Sequence, residues 1–88
     1  MAAYDVELSR SAARDLERLA PGLRLRIERE LRRLAIDPRR AGVTRLAGSP
    51  AWRSRVGDYR IIYALDDDRP LIQVLRIRHR RDVYRRLG

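Results

Sequence analysis

The chain contains no cysteine and no lysine. Without cysteine there is neither a disulfide framework nor a thiolate metal site, and a reducing compartment, the cytoplasm, is the expected location. Without lysine, all 21 basic residues are arginine. A guanidinium stays protonated at any physiological pH, so these residues can clamp phosphates and stabilise charge but cannot serve as a general base. No apolar run approaches the roughly 20 residues of a membrane-spanning helix, and nothing at the N-terminus resembles a signal peptide, so no membrane partner is expected. There is a single histidine, His79, and no His/Asp/Glu cluster at ligand spacing. Asp66, Asp67 and Asp68 fall in a turn without the pattern of a calcium loop. No metal and no cofactor are expected. A glycine-rich phosphate loop, a Ser/His/Asp arrangement, internal repeats and low-complexity segments are all missing.

What is present is positive charge. The 88 residues carry a formal net charge of +9. That balance points to nucleic acid or to an acidic protein partner. The length suits one domain, residues 1–88, near the lower limit for a core without staples.

In chain order, residues 4–8 alternate apolar and acidic positions and read as a short half-buried strand. Ser9 is a natural N-cap, and Ala12, Ala13, Leu16, Leu19 and Ala20 follow at helical spacing. Pro21-Gly22 breaks that helix and can open the next, whose apolar stripe is Leu23, Ile27, Leu31, Leu34 and Ala35. Asp37-Pro38 ends it. A connector follows, with a possible short extended piece at 44–46. Then come a hairpin at 52–63, a polar turn at 66–70 and a last strand at 71–77. Alternation there places Arg76, Arg78 and Arg80 on one face. The tail from His79 reads as a basic helical turn. This order describes an α+β fold: an N-terminal strand, an αα-hairpin, then a three-stranded antiparallel meander, with the helices on one face of a single sheet. The position of the first strand in that sheet is open.

The hairpin carries the candidate chemistry. Gly57-Asp58 is a two-residue turn, which pairs Val56 with Tyr59, Arg55 with Arg60 and Arg53 with Ile62. Its inner face is Trp52, Val56, Tyr59, Ile61, Tyr63 and Leu65. Arg53, Arg55 and Arg60 share the other face, with Arg55 and Arg60 about 5 Å apart at Cβ. Like charges facing across a ladder destabilise it, so the cluster is expected to meet an anion, and guanidinium forks fit phosphate oxygens. The plain alternative is a solvated basic face. His79, with an ordinary pKa of about 6.5, suits proton transfer, although a lone histidine is more often a surface or capping residue. Tyr84 could stack on a base, bind a phosphate or staple the tail to the sheet. Such a basic site permits RNA cleavage by the neighbouring 2′-hydroxyl, with arginines stabilising the charge at phosphorus.

Three stretches, Val6-Glu-Leu-Ser-Arg-Ser-Ala-Ala-Arg-Asp-Leu16, the hairpin from Trp52 to Tyr63 and Val74-Leu-Arg-Ile-Arg-His-Arg-Arg-Asp-Val-Tyr84, resemble the RelE/ParE superfamily of type II toxins, more closely its RelE branch. The resemblance implies a ribosome-dependent messenger-RNA endonuclease acting without metal in the ribosomal A site. By position it implies catalytic roles for Arg53, Arg55, Arg60, Arg80 and Tyr84, joined here by His79. Arg76, Arg78 and Arg81 are expected to bind RNA. RelE enzymes often carry lysine at the first two basic positions; arginine stands at both here, so a general base there is lost. The resemblance further implies a cognate acidic antitoxin touching some of Leu16, Leu19, Leu23 and Ile27, and a toxin–antitoxin complex that binds operator DNA. The alternatives are a non-catalytic ParE-type toxin that inhibits DNA gyrase and a basic nucleic-acid-binding module.

Overall fold

The computed structural model describes residues 3–81. Its elements are β1 (Asp5–Leu8), α1 (Arg10–Glu17), α2 (Pro21–Ile36), β2 (Thr44–Arg45), β3 (Trp52–Val56), β4 (Tyr59–Asp66) and β5 (Leu71–His79). They form an α+β fold in which two helices pack on one five-stranded mixed sheet of order β1-β5-β4-β3-β2. The expected meander β3-β4-β5 is its centre. β2 extends it antiparallel on one side, and β1 closes the other side parallel to β5. The open question of the first strand is thus answered, and the sheet is larger than three strands.

Local chemistry explains the element ends. The Ser9 hydroxyl oxygen accepts from the Ala12 N–H at 3.0 Å, and its hydroxyl donates to the Leu75 carbonyl at 2.8 Å. One residue thereby caps α1, a contribution of about 1 kcal/mol, and ties it to β5. Pro21 occupies the first turn of α2, where a missing N–H costs nothing. Gly57 has φ +58°, the left-handed conformation that the hairpin turn requires.

The core lies between the helices and the sheet: Ala12 and Leu16 from α1, Ile27, Leu31 and Leu34 from α2, and Ile61, Tyr63, Ile72, Val74 and Ile77 from β4 and β5. Tyr63 is fully buried, and its hydroxyl donates to the Pro38 carbonyl at 2.7 Å. Burial first, and the Glu30 carboxylate second, push its phenol up to about 12. At the surface, Asp67 accepts two hydrogen bonds from Arg39, at 3.2 and 2.7 Å, and one from the Tyr4 hydroxyl at 2.6 Å. Arg39 first, then Tyr4, hold the Asp67 carboxyl below its ordinary range. This contact fastens the start of the chain and the loop after α2 to the β4–β5 turn.

Two expectations are corrected. β1 is an exposed edge strand rather than a half-buried one. Val6 and Leu8 pair with the buried Ile72 and Val74, yet stay 36% and 37% exposed at the edge of the sheet. In β5, Arg76 and Arg78 alternate on one face as expected, opposite Ile62 and Arg60, but Arg80 leaves the row. Ile62 pairs with Arg76 while the next residue, Tyr63, pairs with Val74, so Leu75 is an extra residue in the ladder. This β-bulge inverts the alternation, which lets Ile72, Val74 and Ile77 all be buried and turns Arg76 and Arg78 together to the outer face. The strand ends at His79, and Arg80 begins a helical turn.

Candidate nucleic-acid interface

The outer face of the sheet carries no helix, and the register assembles its basic row. Arg55 of β3 pairs with Arg60 of β4, and Arg60 pairs with Arg78 of β5. Neighbouring strands lie about 4.8 Å apart, so the row crosses the sheet over roughly 10 Å. Arg53 lies two residues from Arg55 on the same face, opposite Ile62. Its Nε is buried with no hydrogen-bond partner among the described residues. Leaving a buried donor unmade costs about 1–3 kcal/mol, more for a charged group, and an acceptor brought in from outside would recover it.

The other expected residues are distributed around this row. Arg80 is exposed, and its N–H donates to the Asp58 carbonyl at 2.8 Å, which fixes the segment after β5 on the hairpin turn. His79 pairs with Tyr59, not with an arginine, and the two rings meet edge to face at 5.1 Å. Its register puts it on the face opposite Arg78. The His79 Nδ1 accepts from the Arg81 N–H at 3.1 Å, so this nitrogen carries no proton in that contact. Asp58, His79, Arg80 and Arg81 line an open cleft of about 350 Å³ beside the turn. Tyr84 lies outside the described residues.

Arg76 is engaged within the fold. Its guanidinium donates to both Asp15 oxygens, at 2.9 and 3.1 Å, and Asp15 also accepts from the Ile77 N–H at 2.9 Å. Of the residues of which some are expected to meet an antitoxin, Leu16 and Ile27 are buried in the core against the sheet. Leu19 and Leu23 are half-buried against the same core. The exposed apolar side chains are elsewhere: Leu25 at 59% and Ile36 at 71%, both off the buried stripe of α2, with Val6 and Leu8 at the β1 edge. Leu25 was legible as a leucine two residues from Ile27, hence on the opposite side of the helix.

Sequence reasoning also missed a buried polar pair. Glu30 is 5% exposed and Ser54 2% exposed. Ser54 Oγ donates to Glu30 Oε2 at 2.6 Å, and Arg40 Nη1 donates to both Glu30 oxygens at 3.1 and 3.0 Å. The signal was Ser54 itself, a polar residue on the inner face between Trp52 and Val56.

Comparison with known proteins places this geometry. The model of the ParE toxin of type II toxin–antitoxin systems matches residues 6–84. Toxin RelG of Mycobacterium tuberculosis is 37% identical over 87 residues, covering 94% of this chain and 98% of the relative. Among solved structures, the toxin–antitoxin complex RelBE2 from Mycobacterium tuberculosis superposes with TM-score 0.81 at 28% identity, over 88% of this chain and 98% of the other. The isolated E. coli RelE toxin superposes with TM-score 0.78 over 98% of this chain and all of its own; at 18% identity it speaks for the fold alone. The sequence match over nearly the whole chain and the shared sheet and helix order lead to one conclusion: this protein belongs to the RelE/ParE superfamily of type II toxin–antitoxin toxins.

Proposed function

We propose that the protein is a ribosome-dependent endoribonuclease that cuts messenger RNA in the A site. The observation that carries this reading is the row Arg55–Arg60–Arg78, with the partnerless Arg53 Nε beside it. A scissile phosphate over that row would receive guanidinium hydrogen bonds on its non-bridging oxygens. The adjacent 2′-hydroxyl attacks phosphorus, the bond to the 5′-oxygen breaks, and the products are a 2′,3′-cyclic phosphate and a 5′-hydroxyl. Charge on the equatorial oxygens grows in the transition state, and preorganised cations stabilise it there more than in the ground state. Arginine cannot remove the 2′-hydroxyl proton. The group that does so lies outside the row; His79 faces the other side of the sheet, beside Tyr59, which leaves Tyr84 as the side chain whose chemistry suits it.

The neutralising partner is a cognate antitoxin. The relatives named in RelBE complexes support this, and the surplus of cations suits an acidic segment. The match to the ParE model favours a second reading, a non-catalytic toxin acting on DNA gyrase. The deciding test is cleavage on a programmed ribosome with an open A site in excess EDTA. Wild type is expected to cut at the A-site codon, and Arg60→Ala and Arg80→Ala each to lose about 100-fold. A folded, toxic protein that does not cut would transfer the assignment to gyrase, to be checked by supercoiling.

A further inference from the structure

A second concentration of arginine lies off the sheet face. β2 pairs only with Trp52 and Arg53, so β3 is an open edge from Ser54 to Val56. Along that edge, Arg26, Arg29 and Arg33 of α2 follow at intervals of three and four residues, which puts them on one side of the helix. With Arg40, Arg55 and Glu30 they line an open cleft of about 270 Å³ beside Val56 and Gly57. The Arg26 guanidinium lies over the hairpin turn, its Nη2 3.4 Å from where a Cβ on Gly57 would stand. Among the described residues no carboxylate pairs with Arg26, Arg29 or Arg55. Arg33 and Arg40 share the single carboxylate of Glu30, at 3.8 and 3.0 Å. Five cations therefore face one anion, and that anion is already engaged by Ser54.

We infer that this cleft is a second phosphate subsite, which receives the RNA backbone as it leaves the outer-face row around the hairpin edge. The inference rests on the endoribonuclease reading and extends it. Arg55 belongs to both sets: it stands opposite Arg60 in the row and lines the cleft, so the two basic surfaces are continuous. The lining favours a polynucleotide over an acidic peptide. Only Val56 and Gly57 among its residues are uncharged, so it offers no apolar pocket of the kind that anchors a peptide segment. Guanidinium groups on a rigid helix at regular spacing suit successive phosphates. Glu30 has the part of an organiser: it holds Arg40 at the mouth while Ser54 fixes its own position.

The test uses a fluorescent single-stranded RNA with 2′-O-methyl sugars, which binds but cannot be cut. Its affinity is measured against salt concentration for wild type, Arg26→Gln/Arg29→Gln and Arg60→Ala. Each phosphate contact on a single strand contributes about 0.7 to the slope of log K against log salt. The double variant is expected to flatten the slope by about 1.4 and weaken binding roughly 25-fold at 0.1 M salt. Both residues are exposed and glutamine is a comparable helix former, so the variant is expected to keep the wild-type circular dichroism. An unchanged slope with Arg60→Ala still weakened would overturn the cleft and leave the endoribonuclease reading intact. No binding by wild type would overturn this inference, whereas the endoribonuclease reading stands or falls separately on cleavage at the programmed ribosome. Loss of a polyglutamate peptide by the double variant, with RNA binding unchanged, would reassign the cleft to an acidic protein.

Discussion

At the scale of single residues, the structure sets cost against use. Arg55 and Arg60 face each other as like charges across adjacent strands, and Arg53 buries a donor with no partner among the described residues. These penalties are removed by an anion, which is why the row is read as a site rather than as a solvated face. The three hairpin arginines were legible because a two-residue turn fixes register, and register fixes face. Glu30 was not legible: an acid among arginines on a helix reads as surface, and only the tertiary approach of Ser54 makes it an interior group. Tyr63 gives a pH-dependent prediction. Its phenol is raised to about 12 in the folded protein, against about 10 unfolded. The group therefore supports the fold fully below pH 10, and that support is lost as pH rises through 12, by roughly 2–3 kcal/mol. Tyr63→Phe is expected to lose about 1 kcal/mol at neutral pH with the Pro38 hydrogen bond, and to unfold less steeply above pH 10. Denaturant titrations from pH 7 to pH 12 on both proteins check this.

At the scale of elements, the order of strands and helices could be read from periodicity, whereas the relation between β1 and β5 could not. Parallel pairing of the first and last strands joins residues 66 positions apart, as Asp5 with Leu71, and no local pattern encodes that. The bulge was in principle visible, since Ile72, Val74 and Ile77 are spaced by two and then by three. Beyond Val74, β5 has no strand on its outer side, and α1 takes that place through Asp15. The carboxylate satisfies the Ile77 N–H and holds the Arg76 guanidinium, just where the bulge has redirected the strand. Asp15→Ala removes three acceptor contacts at a part-buried edge and is expected to cost about 2 kcal/mol. Hydrogen exchange is the discriminating measurement. The Ile77 amide should lose protection, whereas the Ile61 amide, in the centre of the sheet, should keep it. Equal loss at both would mean that Asp15 acts on global stability and not on this edge.

At the scale of the whole molecule, 21 arginines stand against 12 acids on 88 residues. Self-repulsion of this kind weakens the compact state, and screening relieves it. The ion pairs pull the other way, but three of the six among the described residues are exposed: Arg39–Asp67, Arg69–Asp66 and Arg24–Glu28 all reach water, and such pairs contribute at most about 1 kcal/mol each. Repulsion should therefore dominate, and the unfolding midpoint should rise, not fall, as sodium chloride is added from low concentration. A specific effect is expected above that general one. The outer-face row and the cleft beside α2 present guanidinium groups at close spacing, and a polyvalent phosphate can bridge several at once. It binds only where the fold holds them together, so it stabilises the native state by mass action. At matched ionic strength, tripolyphosphate is thus expected to raise the melting temperature more than chloride does. Arg55→Gln, which removes the residue common to both surfaces, should reduce that excess while leaving the chloride response nearly unchanged. Identical curves for the two salts would mean that the arginines act only as diffuse charge and that neither surface is built to hold phosphate.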